Sequence, residues 1–217
     1  AAPAGDANRP QRIVLPGIFA QDEWKIATQW TLLSGLRYDY DSRHGSIFSP
    51  RINIKYSPDA HNTLRGSAGS GFRVANVFSE DHSALTGGRQ VVFEETLDPE
   101  RSWNVNVNYT RFQPTGFGFV NLDASLFYTY FFNKIVADYD TDPEKVLYSN
   151  LDGYAENIGF SVNSDWNYTN GVKMVVGATL MDVHTVENGL RQWQIQTPRF
   201  TANWQLSIPL PRWRVTI

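Results

Sequence analysis

Residues 103–110 read WNVNVNYT, with asparagine at 104, 106 and 108 and Trp, Val, Val and Tyr between them. Side chains of a β-strand alternate between two faces, so one side of this segment is apolar and the other carries only amides and a hydroxyl. A strand of that kind fits a sandwich, a soluble barrel or a membrane barrel. The rest of the chain has to choose.

The alternation recurs from about Val14 to the end, while helical periodicity is hard to find. In residues 30–40, Trp30, Leu32, Ser34, Leu36, Tyr38 and Tyr40 oppose Thr31, Leu33, Gly35, Arg37 and Asp39. In residues 51–56, Ile52, Ile54 and Tyr56 oppose Arg51, Asn53 and Lys55. Residues 64–74, 120–132, 154–168, 172–180 and 200–208 repeat the scheme, with Glu156 an exception near a strand end. The reading gives about nine to ten strands. Residues 117–138 keep a strand-like pattern well beyond the ~5–6 residues usual in globular strands.

Connections add independent information. Turns are expected at 27–29, 57–62, 113–116, 169–171 and 208–211, all short and, but for 27–29, carrying the Pro, Gly, Asn or Asp that hairpins favour. The connections between them are longer at 75–100, 139–145 and 186–194, with 41–46 the modest member of that set. Outer-membrane barrels alternate tight turns on one rim with longer loops on the other. A sandwich has no reason to do so.

The chain has 217 residues, enough for one large β domain, and 41% hydrophobic residues with a mean hydropathy of −0.37. No apolar run approaches the ~20 residues of a membrane helix, and averaged polarity is silent on a barrel whose residues alternate between lipid and lumen. Seven Trp, 10 Tyr and 13 Phe recur near the ends of the apolar faces, where interfacial belts sit. Net charge is −3 with no basic stripe, so nucleic acid is not an expected partner. Cysteine is absent, which removes disulfides, thiolate metal sites and cysteine nucleophiles. AAPAGDANRP lacks the pattern of a secretory signal, and residues 1–12 are read as a loop or flexible leader ahead of a barrel segment over 13–217.

Charged and amide residues occupy one face of nearly every strand, more than a side-chain-filled small barrel could satisfy. That face is therefore expected to line a water-filled or plugged lumen, with Arg37, Arg51, Arg65, Arg73, Asn104, Asn106 and Asn108 pointing into it. The arginines could form a basic ladder that meets plug carboxylates or guides anions. Pairing with Asp39 and similar wall residues is an equally good reading.

Residues 49–81, SPRINIKYSPDAHNTLRGSAGSGFRVANVFSED, resemble the mid-barrel signature of TonB-dependent outer-membrane receptors. Ser49, Pro50 and Arg51 open a strand, a short turn follows, and Leu64-Arg65 and Gly71-Phe72-Arg73 rise into a large loop. IFAQDEWKI at 18–26, LLSGLRYDY at 32–40 and NLDGYAENIGF at 150–160 are similar to the family as well. The resemblance covers nearly the whole chain from Ile13. It implies part of an all-β, antiparallel up-and-down transmembrane barrel of about 22 strands in the outer membrane. It also implies active uptake of a scarce ligand such as an iron-siderophore, haem, cobalamin or glycan. Partners would be a plug domain, the TonB energy-transducing complex, outer-membrane lipids and a surface lipoprotein. No plug is visible in the sequence, and no closing aromatic follows RVTI.

Other motifs yield to plainer readings. GSAGSG at 66–71 is followed by strand-like residues rather than a helix, so small wall positions that let a plug approach explain it better than a phosphate loop. DYDTDPE at 138–144 has Pro143 where a calcium loop needs glycine and Ser149 where it needs a bidentate Glu, so a solvated acidic loop is the better reading. His44, His61, His82 and His184 lack metal-site spacing, and Asp81-His82-Ser83 cannot form a catalytic relay from adjacent positions. No catalytic residue, metal or cofactor is expected. The long loop at 75–100, with Phe78, His82, Arg89 and Phe93, is the expected place of ligand contact, because binding residues concentrate on long loops held by a rigid scaffold. A passive porin and a soluble β-sandwich binding module are the competing functions.

Overall fold

The computed structural model describes residues 14–74, 90–93, 97–139, 141–194, 197–210 and 215–216. In chain order the strands are β1 (Gly17–Ala27), β2 (Trp30–Asp41), β3 (Gly45–Tyr56), β4 (Asn62–Arg73), β5 (Gln90–Phe93), β6 (Glu100–Thr115), β7 (Gly118–Phe131) and β8 (Ile135–Asp138). They continue as β9 (Lys145–Asn150), β10 (Gly153–Tyr168), β11 (Lys173–Glu187), β12 (Leu190–Trp193), β13 (Phe200–Ser207), β14 (Pro209–Leu210) and β15 (Val215–Thr216). One antiparallel sheet runs β1-β2-β3-β4-β6-β7-β10-β11, with β12 and β13 both on β11. Its path does not return to β1, so the wall is an open up-and-down segment.

The register turns local alternation into rows that cross the wall. On one face Trp24, Leu32, Ile54, Gly66, Val107, Leu126, Phe160, Leu180 and Phe200 are successive cross-strand partners. On the other, Lys25, Thr31, Lys55, Arg65, Asn108, Ser125, Ser161, Thr179 and Thr201 line up in the same way. The apolar row is not packed in an interior: Leu126 is 56% and Phe200 60% exposed. A sandwich would bury these rows against each other, so that alternative loses its physical basis.

Two expectations need correction. The pattern over 117–138 is not one strand, because the wall strand β7 ends at Phe131 and β8 starts a separate small sheet. Asn133, between them, donates to Pro99 O (2.8 Å) and accepts from Arg101 N (3.1 Å), which diverts the chain towards the start of β6. The turn expected at 113–116 sits at 116–117, since β6 continues through Pro114 and Thr115 to pair with Phe119 and Gly118.

Two long connections are tied together. β5, from the connection after β4, pairs in parallel with β9, and β9 pairs antiparallel with β8, both from the connection after β7. Val146 and Tyr148 of β9 are buried against Leu97, Ile135 and Ala137, a small apolar core lying in the loops rather than in the wall. Between β8 and β9, Asp142 accepts from Lys145 Nζ (2.8 Å) and Glu144 N (2.9 Å), which hold its carboxyl below its ordinary 3.8. A lowered carboxyl contributes stability above 3.8 that is lost as pH falls through its folded value. Lys145, raised above 10.5 by Asp142, loses its contribution only at alkaline pH. Below about pH 4 the Glu144 amide is expected to lose hydrogen-exchange protection while amides of the β6–β7 ladder keep theirs.

Candidate functional site at the loop-side rim

Cross-strand partners share a face, and the register links Arg37 to Ser49, Arg51 to Gly69, Gly69 to Asn104, Ser67 to Asn106, Arg65 to Asn108, and Arg73 to Glu100. All seven polar residues singled out in the sequence therefore stand on one side. They do not form a free basic ladder. Arg37 grips the buried Asp39 carboxylate with Nη2–Oδ1 at 2.7 Å and Nε–Oδ2 at 2.8 Å. Asn108 Nδ2 donates to Asp123 Oδ2 and Ser125 Oγ, both at 2.9 Å. Arg65 reaches Thr110 Oγ1 at 3.4 Å and shares a cleft of about 430 Å³ with Lys55, Asn53, Asn106 and Asn108.

At the end of this face that carries the long connections, side chains from distant positions converge. Arg73 Nε donates to Glu100 Oε2 (2.6 Å), and Glu100 Oε1 accepts from Ile135 N (2.9 Å), so one buried carboxylate joins β4, β6 and β8. Gly71, Arg73, Glu100, Ser102, Phe131 and Lys134 line a cleft of about 400 Å³. Burial holds the Lys134 ammonium below the ordinary lysine range, reinforced by Arg73 and opposed by Glu100. Among the described residues two cations and one carboxylate thus meet at this cleft, and Arg73 and Lys134 are groups able to hydrogen-bond an anion.

Asparagines fix this geometry. Asn150 accepts from Asp98 N (2.8 Å) and donates to Asn133 O (3.2 Å), while Asn133 clasps Pro99 and Arg101. Beside it the wall splits: β3 pairs with β4 only up to Arg51 and Gly69, although β2–β3 and β4–β6 continue further. Pro50, without an N–H, stands next to the last pair, where proline at a sheet edge is tolerated. His44, Phe48, Pro50, Ser70, Phe72 and Trp103 are among the residues around the resulting opening of about 540 Å³.

Of the four loop residues expected to touch ligand, Phe78, His82 and Arg89 lie outside the described residues. Phe93 ends β5, with its backbone beside Tyr148 of β9. In the acidic stretch Asp138 accepts from Thr141 N (3.0 Å) and Oγ1 (2.6 Å), and Asp142 accepts from Glu144 N and Lys145 Nζ. Glu100 and Lys134 escaped the sequence reading, because neither stands in a motif and only pairing across β4, β6 and β7 brings them to Arg73. Gly69 is explained by the wall: a Cβ there would lie 3.1 Å from Pro50 O.

A sequence-family model described as "TonB dependent receptor-like, beta-barrel" matches residues 2–217. The chain belongs to this TonB-dependent receptor family. Its wall is thus part of an outer-membrane β-barrel, with the exposed apolar rows against lipid. The family is one of receptors rather than enzymes. The iron-regulated outer membrane virulence protein of Vibrio cholerae, in two strains, is 35% identical over 121 residues, covering 54% of this chain and 18% of that protein. The siderophore receptor PirA from Pseudomonas aeruginosa superposes with a TM-score of 0.66 at 18% identity, covering 89% of this chain and 41% of that one. The FrpB iron transporter from Neisseria meningitidis gives 0.66 at 16% identity, covering 94% and 32%. The chain therefore spans less than half the length of each of these proteins.

Proposed function

We propose that this TonB-dependent receptor segment serves energised uptake of an iron chelate, with the polar face lining a lumen that a plug domain fills. The observation that carries the reading is a wall with one exposed apolar face and one polar face, whose loop end brings Arg73, Glu100 and Lys134 together in one cleft. Relatives described as iron-regulated and structural neighbours described as siderophore receptors support the ligand class. Arg37, Arg51, Arg65, Arg73, Asn104, Asn106 and Asn108 would face the plug or the passing solute. Phe78, His82, Arg89 and Phe93 would contact ligand from the loop above. The TonB complex supplies the energy, and a surface lipoprotein is a further partner.

Uptake of a labelled ferric siderophore by cells carrying the receptor tests this, with haem, cobalamin and glycan panels alongside. Uptake should vanish when the TonB complex is deleted, whereas a passive porin would go on admitting solute in proportion to its concentration. Arg73→Ala and Lys134→Ala should each raise half-saturation about tenfold, the weight of one charge-assisted hydrogen bond, at unchanged surface abundance. TonB-independent uptake, or variants that saturate like the parent, would reject the proposal.

A further inference from the structure

On the lipid-facing side, the apolar rows give way to a polar network towards the same rim. Glu156 is the cross-strand partner of His184, and His184 of Trp193, so all three stand on the face of Leu126, Phe160 and Leu180. Tyr128 donates to Glu156 Oε1 (2.6 Å), and His184 Nε2 lies 3.2 Å from Glu156 Oε2. Arg191 donates to His184 Nδ1 (3.2 Å), which leaves the Nε2 proton directed at Glu156. Arg191 also pairs with Asp182, whose other oxygen accepts from Trp193 Nε1 (3.0 Å). Carboxylates and an imidazole are expensive in hydrocarbon, so this level marks where the acyl region ends.

Two guanidinium groups lie over the Trp193 ring, Arg199 at 4.3 Å and Arg191 at 5.7 Å from its centroid. Asp182 compensates Arg191. Arg199 has no carboxylate within 4.0 Å among the described residues, and its recorded partner is the indole face. Next in sequence is Phe200, which is 60% exposed and pairs with Leu180, 56% exposed. An uncompensated cation seated on tryptophan thus meets the upper limit of the lipid-facing surface. The long connections on this rim mark it as the extracellular side, hence the outer leaflet.

We propose that Arg199, Trp193 and Arg191 form a headgroup site for a phosphate-bearing lipid of the outer leaflet, its acyl chains lying along Leu180 and Phe200. The site faces away from the lumen, so it is independent of which solute is transported. A cation near the membrane surface contributes about 1 kcal/mol towards an anionic lipid, roughly a fivefold effect, and reversing its charge about twice that energy.

The test uses the intact receptor extracted from outer membranes, stripped of lipid and titrated with diphosphorylated lipid A under native mass spectrometry. Arg199→Gln should weaken binding about fivefold and Arg199→Glu about thirtyfold, while Arg65→Gln on the opposite face leaves it unchanged. Should Arg199→Glu fail to fold, the Arg199→Gln titration decides alone. Three results would overturn the site: Arg199 variants that bind like the parent, fully dephosphorylated lipid A that binds as tightly, or displacement of the lipid by an equal concentration of inorganic phosphate.

Discussion

Leu126→Arg is expected to lower the stability of the folded barrel in lipid by about 2–4 kcal/mol, whereas Asn106→Arg, on the adjacent strand but the other face, should change it by less than about 1 kcal/mol. Leu126 is 56% exposed between Val107 and Phe160, in the row that meets hydrocarbon. A guanidinium there must snorkel or draw water into the bilayer. Asn106 lies beside Ser67 over the polar cleft, where a charge keeps its hydration. Urea titration of receptor folded into vesicles measures both. Equal losses, or a larger loss at Asn106, would mean that the two faces have been assigned the wrong way round.

A second large effect is expected at the tight rim. Gly118 has φ +144°, and a Cβ there would stand 1.9 Å from Asn167 O and 2.9 Å from Asn167 C. Both contacts are to backbone of β10, so no side-chain rotation relieves them. Gly118→Ala must either break the β7–β10 pairing at Tyr168 or force a strained backbone, and about 3 kcal/mol or more should be lost. Gly116, two residues away, has no atom within 4 Å of such a Cβ, so Gly116→Ala should stay within about 0.5 kcal/mol. The fraction of receptor that keeps its compact, heat-sensitive mobility on electrophoresis reports both. A normal yield for Gly118→Ala would show that the turn can relax.

Much of the wall was readable because its information is local. Alternation in residues 30–40, 103–110 and 154–168 identifies strands, and the difference between short and long connections identifies two rims. One local signal was overlooked. Asn188-Gly189 is a strong two-residue hairpin pair, and the structure uses it with φ of 50° and 76° to fold β12 back onto β11 inside the expected 186–194 loop. The opposite error, a single strand over 117–138, arose because β7 and β8 both alternate, and nothing local says that Asn133 will be recruited by Pro99 and Arg101.

From the sequence alone came sided strands, their approximate number, the segregation of charge onto one face and, by resemblance, the family. Tertiary structure decided the rows themselves, the opening between β3 and β4, the parallel join of two loops and the meeting of Arg73, Glu100 and Lys134. It also decided that His184 would share Glu156, Asp182 and Arg191 on the outer face. The reason is geometric: side-chain alternation follows from the conformation of each residue, whereas register fixes which of several distant residues stand opposite one another, and no short window contains that choice.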